Sequence, residues 1–222
     1  LTAACPGKVA LVIGSRAHLF ACLATAAVAV MLALAAASPA HQVATLSGGV
    51  LTITGDQQHN GQPKPNDLVT IDYDSCANEL IFGQDVFGPH PSQCSPDAEH
   101  PQRIIHCPAS QISTIQINSG IGSDEVDANL PASMVLPVSM GSGNDHFQGG
   151  SEVDNVSGGP GSDKLYGGSG RDRLNGGGAS DKLFGQGGAD KLFGGAAPDK
   201  IFGGGGNDHC VPGSGHGKES SC

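Results

Sequence analysis

From Met140 to Val211 the chain advances in units of nine without an insertion or deletion. The units read M-G-S-G-N-D-H-F-Q, G-G-S-E-V-D-N-V-S, G-G-P-G-S-D-K-L-Y, G-G-S-G-R-D-R-L-N, G-G-G-A-S-D-K-L-F, G-Q-G-G-A-D-K-L-F, G-G-A-A-P-D-K-I-F and G-G-G-G-N-D-H-C-V. The sixth place is always aspartate, and the eighth is Phe147, Val156, Leu165, Leu174, Leu183, Leu192, Ile201 or Cys210. A unit this short cannot bury a core alone, so a fixed period dictates an architecture in which each unit stacks on its neighbours. A flexible glycine linker would need neither the fixed aspartate nor the fixed apolar place.

Each unit divides into six turn residues and three strand residues. Glycine lets the turn take positive φ. The last three places make a minimal strand, with the apolar residue inward and its neighbours outward.

This pattern closely resembles the G-G-x-G-x-D-x-U-x nonapeptide of the repeats-in-toxin (RTX) family, U being a large apolar residue. The departures are Glu152, Ala179 and Ala197 at the fourth place, Gln186 at the second and Met140 at the first. The resemblance implies an all-β fold, a right-handed parallel β-roll (a β-solenoid) with two units per coil and calcium between turns stacked on one edge. Eighteen residues per coil then places Asp145, Asp163, Asp181 and Asp199 on one edge, and Asp154, Asp172, Asp190 and Asp208 on the other. One ion between successive pairs gives about six. The expected metal ligands are these aspartates with Asp124, and the turn residues Gly159, Gly161, Gly168, Gly170, Gly177, Gly188, Gly195, Gly204 and Gly206.

The donor chemistry points the same way. Carboxylate and carbonyl oxygens in a flexible turn suit Ca²⁺ rather than Zn²⁺, and Mg²⁺ demands a tighter octahedron. Coils stack about 4.8 Å apart, so facing carboxylates repel by roughly 3–4 kcal/mol per pair at an effective dielectric near 20. One apolar residue in nine offsets little of this against the entropy of ordering glycine. Folding of the array is therefore expected to be coupled to metal.

The outward places carry a second pattern. Lys164, Lys182 and Lys200 fall on one sheet face, and Arg173, Lys191 and His209 on the other. Tyr166, Phe184 and Phe202 should stack as an exposed row. Locally, such a ladder stiffens the sheet and the charges block edge-to-edge pairing. The alternative is a docking surface for cell-envelope glycan or another protein.

Residues 1–40 read as an export signal. Lys8 and Arg16 precede the apolar stretch Leu19 to Ala37, and Ser38-Pro39-Ala40 is a small-x-small cleavage site. Nineteen apolar residues also suffice for an uncleaved membrane anchor. The remainder holds no further run long enough to insert in a membrane. RTX proteins exported in one step lack such a signal and usually lack cysteine, so the departure implies general-pathway export.

Residues 41–118 hold short β-type runs, V-A-T-L, V-L-T-I-T-G-D, D-L-V-T-I-D-Y, E-L-I-F, R-I-I-H-C and I-S-T-I-Q-I-N, expected as an irregular β cap on the solenoid. Polar loops lie between them, including residues 60–67 and the stretch from Gly88 to Gln102. Residues 119–139 contain an offset unit with Asp124, then a twelve-residue insertion centred on N-L-P-A-S-M-V-L-P. Residues 140–211 are the array. Residues 212–222 form a degenerate C-terminal cap, with Gly217 where aspartate belongs. Beyond the signal lie Cys76, Cys94, Cys107, Cys210 and Cys222, an odd number. Cys94 with Cys107 is the expected disulfide, Cys210 with Cys222 is a further pairing that stays open, and Cys76 is left over.

A formal charge of −10 without a basic patch argues against nucleic acid. There is no H-E-x-x-H and no G-x-S-x-G, and the G-x-G strings sit in β-turn repeats rather than opening a helix. His90, His100 and His106 could form a metal or catalytic cluster but have no recognisable ligand spacing and read as surface loop histidines, and Asp72, Asp74 and Glu79 could act as paired carboxylates, though nothing in the sequence places them in a cleft. The reading is a secreted, non-enzymatic, calcium-binding β-roll acting as a structural or interaction module. The alternatives are a calcium-dependent extracellular hydrolase with its site in 41–118, and a cell-surface adhesin module.

Overall fold

The eighteen-residue period becomes two facing sheets, with successive strands alternating between them. The computed structural model describes residues 43–55, 68–75, 77–83, 92–96, 104–215, 218–220 and 222. The expected signal or anchor at 1–40, Cys76, the loop at 60–67, and His90 and His100 lie outside the described residues.

One sheet contains β1 (Val43–Ser47), β2 (Val50–Thr54), β7 (Thr114–Asn118), β9 (Val135–Ser139), β11 (Val153–Pro160), β13 (Arg173–Gly178), β15 (Lys191–Gly195) and β17 (His209–Val211), neighbours in that order. The other runs β18 (Lys218–Ser220), β16 (Lys200–Gly206), β14 (Lys182–Gly188), β12 (Lys164–Gly168), β10 (His146–Gln148), β8 (Glu125–Asn129), β3 (Leu68–Asp74), β4 (Glu79–Gly83), β6 (Ile104–Pro108) and β5 (Ser95–Pro96). Within the array every pairing is parallel and offset by eighteen, as in Leu165–Leu183–Ile201 and Leu174–Leu192–Cys210. The result is a parallel β-solenoid of about five turns. Most rungs outgrow the expected three residues. β12 takes in Gly167 and Gly168 of the next unit, since the in–out alternation continues through them.

The N-terminal part joins this lattice rather than only covering it. β2 and β3 are rungs, parallel to β7 and β8. Between β3 and β7 the chain detours through β4, β5 and β6, which pair antiparallel at the end of one sheet, while β1 pairs antiparallel with β2 at the end of the other. These antiparallel strands cover sheet ends that would otherwise offer free backbone groups. The early rungs bury two apolar residues each, Leu51 with Ile53, Val69 with Ile71, and Ile115 with Ile117. The array buries one, from Phe147 through Leu165 and Leu183 to Ile201 on its sheet. The hydrophobic contribution per rung therefore falls along the chain.

The twelve-residue insertion is a rung. β9 pairs in register with both β7 and β11, placing Leu136 beside Asp154 and Val138 beside Val156. The coil is lengthened instead in its turn, so Glu125 pairs with His146, a spacing of twenty-one.

Cys94 is bridged to Cys107, and Cys210 to Cys222. Cys210 thus packs against the core and anchors the chain end as well.

Outside, Lys164, Lys182 and Lys200 lie side by side, as expected. The rings of Tyr166 and Phe184 stack at 4.6 Å and 5°, and those of Phe184 and Phe202 at 5.0 Å and 7°. The row is half-buried rather than exposed, because each ring covers the face of the next. Replacing Phe184 by alanine removes two stacking contacts, each contributing about 0.5–1.5 kcal/mol. The variant is expected to unfold about 1–3 kcal/mol more easily in a calcium-saturated denaturant titration, with its bound-calcium count unchanged.

Candidate metal centre

The sixth-place aspartates line the two edges as the period requires. On one edge the backbone N–H of Asp124 donates to Asp145 Oδ1 (2.8 Å), Asp145 to Asp163 (2.9 Å), Asp163 to Asp181 (2.9 Å) and Asp181 to Asp199 (2.9 Å). On the other, Asp154 donates to Asp172 (2.9 Å), Asp172 to Asp190 (2.8 Å) and Asp190 to Asp208 (3.0 Å). One carboxylate oxygen thus ties each turn to the turn below it. Aspartate stacks over aspartate in four intervals on the first edge and three on the second.

The other oxygen is the informative one. Oδ2 of Asp145, Asp163, Asp172, Asp181, Asp190 and Asp199 is buried and has no hydrogen-bond partner among the described residues. A buried carboxylate oxygen left without a partner is costly, and a whole row of them demands an ion or a proton. Burial pushes these acids upward, Asp145 and Asp181 to about 7, Asp163 and Asp172 to about 6, and Asp190 and Asp199 in the same direction. Backbone N–H groups donating to them oppose the rise, and neighbouring carboxylates add to it for Asp145, Asp172, Asp181 and Asp190.

The sign of the pH dependence follows. A folded-state value above the unfolded one, near 4, means the metal-free roll binds more protons than the unfolded chain. Its stability is greatest below about pH 4 and falls as pH rises through about 7. In EDTA, β content by circular dichroism is therefore expected to increase as pH drops from about 8 to about 5. Over the same window the calcium concentration at half-binding should rise, because protons compete for the same oxygens.

The turn glycines divide by role. Gly159, Gly168, Gly177, Gly195 and Gly204, at the second place, all take left-handed φ. The carbonyls of Gly177 and Gly195 already accept bonds from Ala196 and Ser214, each keeping a second lone pair. At the fourth place Gly161, Gly188 and Gly206 are also left-handed, and a Cβ on Gly161, Gly170, Gly188 or Gly206 would strike the carbonyl of the fourth-place residue one turn below. Ala179, Gln186 and Ala197 hold the same left-handed backbone without being glycine (φ 66°, 73° and 74°).

Sequence reasoning missed the first place. Gly149, Gly158, Gly176, Gly185 and Gly194 do not take left-handed φ, yet a Cβ on any of them would strike Oδ2 of the aspartate five residues on. That same space faces the first-place carbonyl of the next turn, for example Gly167 for Asp154 and Gly203 for Asp190. These glycines make room for the carboxylate. The signal was present, since the first place is glycine in every unit but one.

Among the described residues no three His, Cys, Asp or Glu side chains converge on a point. An ion here would draw its shell from two carboxylates and several backbone carbonyls. That is a hard, all-oxygen, adaptable donor set, and it fits calcium. Of the other sequence candidates, His106, Glu79 and Asp74 lie on neighbouring strands, apart from the turn aspartates. His106 lies on β6 with Nδ1 3.2 Å from Glu79 Oε2. Asp74 is the cross-strand neighbour of Glu79, whereas Asp72 accepts a bond from Asn129.

Geometry and donor set together define a class, the parallel β-solenoid with stacked turn carboxylates. Within that class, residues 141–218 match the RTX calcium-binding nonapeptide repeat model in four overlapping copies, at 141–174, 148–183, 157–192 and 184–218. No curated protein and no solved structure matched the chain.

Proposed function

We propose that this is a secreted, non-enzymatic protein whose turn aspartates and carbonyls bind calcium between stacked coils, making the roll a calcium-stabilised structural or interaction module. The observation that carries it is the row of buried, unpartnered Oδ2 atoms recurring every eighteen residues on both edges. Calcium supplies the charge those oxygens lack, and each ion ties one coil to the next through residues that already bond across the same gap. Extracellular modules of this kind bind at about 10⁻⁴–10⁻³ M, so the fold would form where calcium is plentiful. No helix among the described residues is long and apolar enough to cross a membrane.

The aromatic row supports a local role over a glycan platform. The ring faces between Tyr166, Phe184 and Phe202 are closed to a sugar. Equilibrium dialysis of the full chain against calcium, with excess magnesium as competitor, tests the central reading. Saturable binding of several ions that magnesium does not displace is the expected result, and binding no greater than to an unrelated acidic protein would refute it.

A further inference from the structure

The turn of residues 149–154 departs from its siblings. Glu152 stands at the fourth place, and neither Gly150 nor Glu152 has the left-handed backbone found at the second place of the other turns. The rung beneath offers Leu136 where an aspartate would stack under Asp154. As a result Asp154, alone among the array aspartates, has both carboxylate oxygens buried without a partner among the described residues.

Glu152, two residues before Asp154 in the same turn, is fully buried. Its Oε2 accepts the backbone N–H of Leu130 at 3.3 Å, and the backbone N–H groups of Gly150, Ser151 and Glu152 also face the carboxylate, while its Oε1 has no partner of hydrogen-bond geometry among the described residues. Ser151 Oγ donates to the Leu130 carbonyl at 3.0 Å, fixing the turn on the longer coil below. The charge of Glu152 bears directly on both Asp154 and Asp172. No lysine or arginine bonds to either carboxylate among the described residues.

We propose that Glu152 and Asp154 hold an additional calcium ion at the head of this edge, Glu152 supplying the carboxylate that the preceding rung lacks. In regular intervals the two carboxylates come from two turns. Here both come from one, and the ion pins the first coil of the array to the apolar N-terminal rungs through Leu130. Elsewhere the fourth place must be glycine or a left-handed alanine, because the residue sits on a carbonyl of the turn below. The differently shaped turn at Leu130–Met134 leaves room for a side chain, and the chain fills it with an acid.

The proposal rests on the calcium reading, and its test separates the two. Crystals of the full chain grown in calcium would be examined for anomalous scattering. A peak about 2.3–2.6 Å from carboxylate oxygens of both Glu152 and Asp154 is expected, beside those between regular turns. Peaks only between regular turns, with Glu152 held by backbone N–H groups alone, overturn the proposal and leave calcium binding intact. No peak anywhere overturns both.

In solution, Glu152→Gln keeps an acceptor for Leu130 but removes the charge, and Glu152→Gly restores the regular residue. Either variant, shown to be folded in saturating calcium, should bind a single ion fewer than wild type by equilibrium dialysis. An unchanged count in a folded variant contradicts the proposal, and if neither folds the crystals decide.

Discussion

Replacing Asp172 by alanine is expected to cost its edge two ions and to raise the calcium concentration needed for folding by tenfold or more. Asp172 lies between Asp154 and Asp190, its carboxylate accepting from the Asp154 N–H and its own N–H donating to Asp190, so it borders the interval on either side. Its Oδ1 also accepts the Asp154 N–H, and leaving that buried donor unsatisfied costs about 1–3 kcal/mol on top of the lost ions. At about 1.4 kcal/mol per factor of ten, this penalty alone spans the predicted shift. Asp208→Ala is the natural comparison. Asp208 is only partly buried and ends its row, so its removal touches one interval and should have a smaller effect. Calcium-dependent β content with a parallel dialysis count measures both.

A larger loss is expected from Gly161→Ala. Gly161 has φ 145°, and its missing Cβ would fall on the Gly143 carbonyl one turn below. That backbone region is nearly exclusive to glycine and strains other residues by about 1–3 kcal/mol. Here the collision adds to the strain, since neither turn can yield without opening the spacing between coils. Destabilisation of at least about 3 kcal/mol in a calcium-saturated denaturant titration is expected. Gly178→Ala provides the contrast: its φ is not left-handed, and a Cβ there would make only ordinary contacts, with Pro160 Cα at 3.8 Å and the Gly159 carbonyl oxygen at 3.9 Å. It should be neutral or slightly stabilising, through the unfolded chain's reduced freedom. Equal losses at the two positions would mean that the turns do not stack as described.

Much of this fold was legible because a rigid period turns one local rule into a lattice. Once Asp145 and Asp163 are eighteen apart, their edge, the inward position of Leu165 and the side-by-side lysines all follow. The rung at β9 was hidden for a physical reason. It carries Pro137 in the interior of a sheet, where a missing N–H normally argues against a strand, and it lacks the glycine and aspartate that mark its neighbours. The inward alternation of Leu136 and Val138 was the signal that survived. Glu152 was read only as a departure from glycine, since nothing local says that an acid will be buried. Its environment is set by Leu130 and Leu136, brought there by the twenty-one-residue coil. The first-place glycines were legible as glycines but not by role, because the space they leave is claimed by a side chain five residues on. The pairing partners of β4, β5 and β6 depend on long-range contacts that a short alternating run does not encode.

On the proposed reading calcium, rather than apolar packing, holds the array, while the N-terminal rungs carry their own core. Hydrogen–deuterium exchange with peptide resolution, on the full chain in calcium, in magnesium and in EDTA, addresses it most directly. Amides of β12, β14 and β16 are expected to be protected in calcium and to exchange freely in EDTA or magnesium, whereas those of β2, β7 and β9 stay protected throughout. Protection of β12, β14 and β16 that is the same in EDTA as in calcium would contradict it, and would make the stacked aspartates a scaffold held by protons instead of metal.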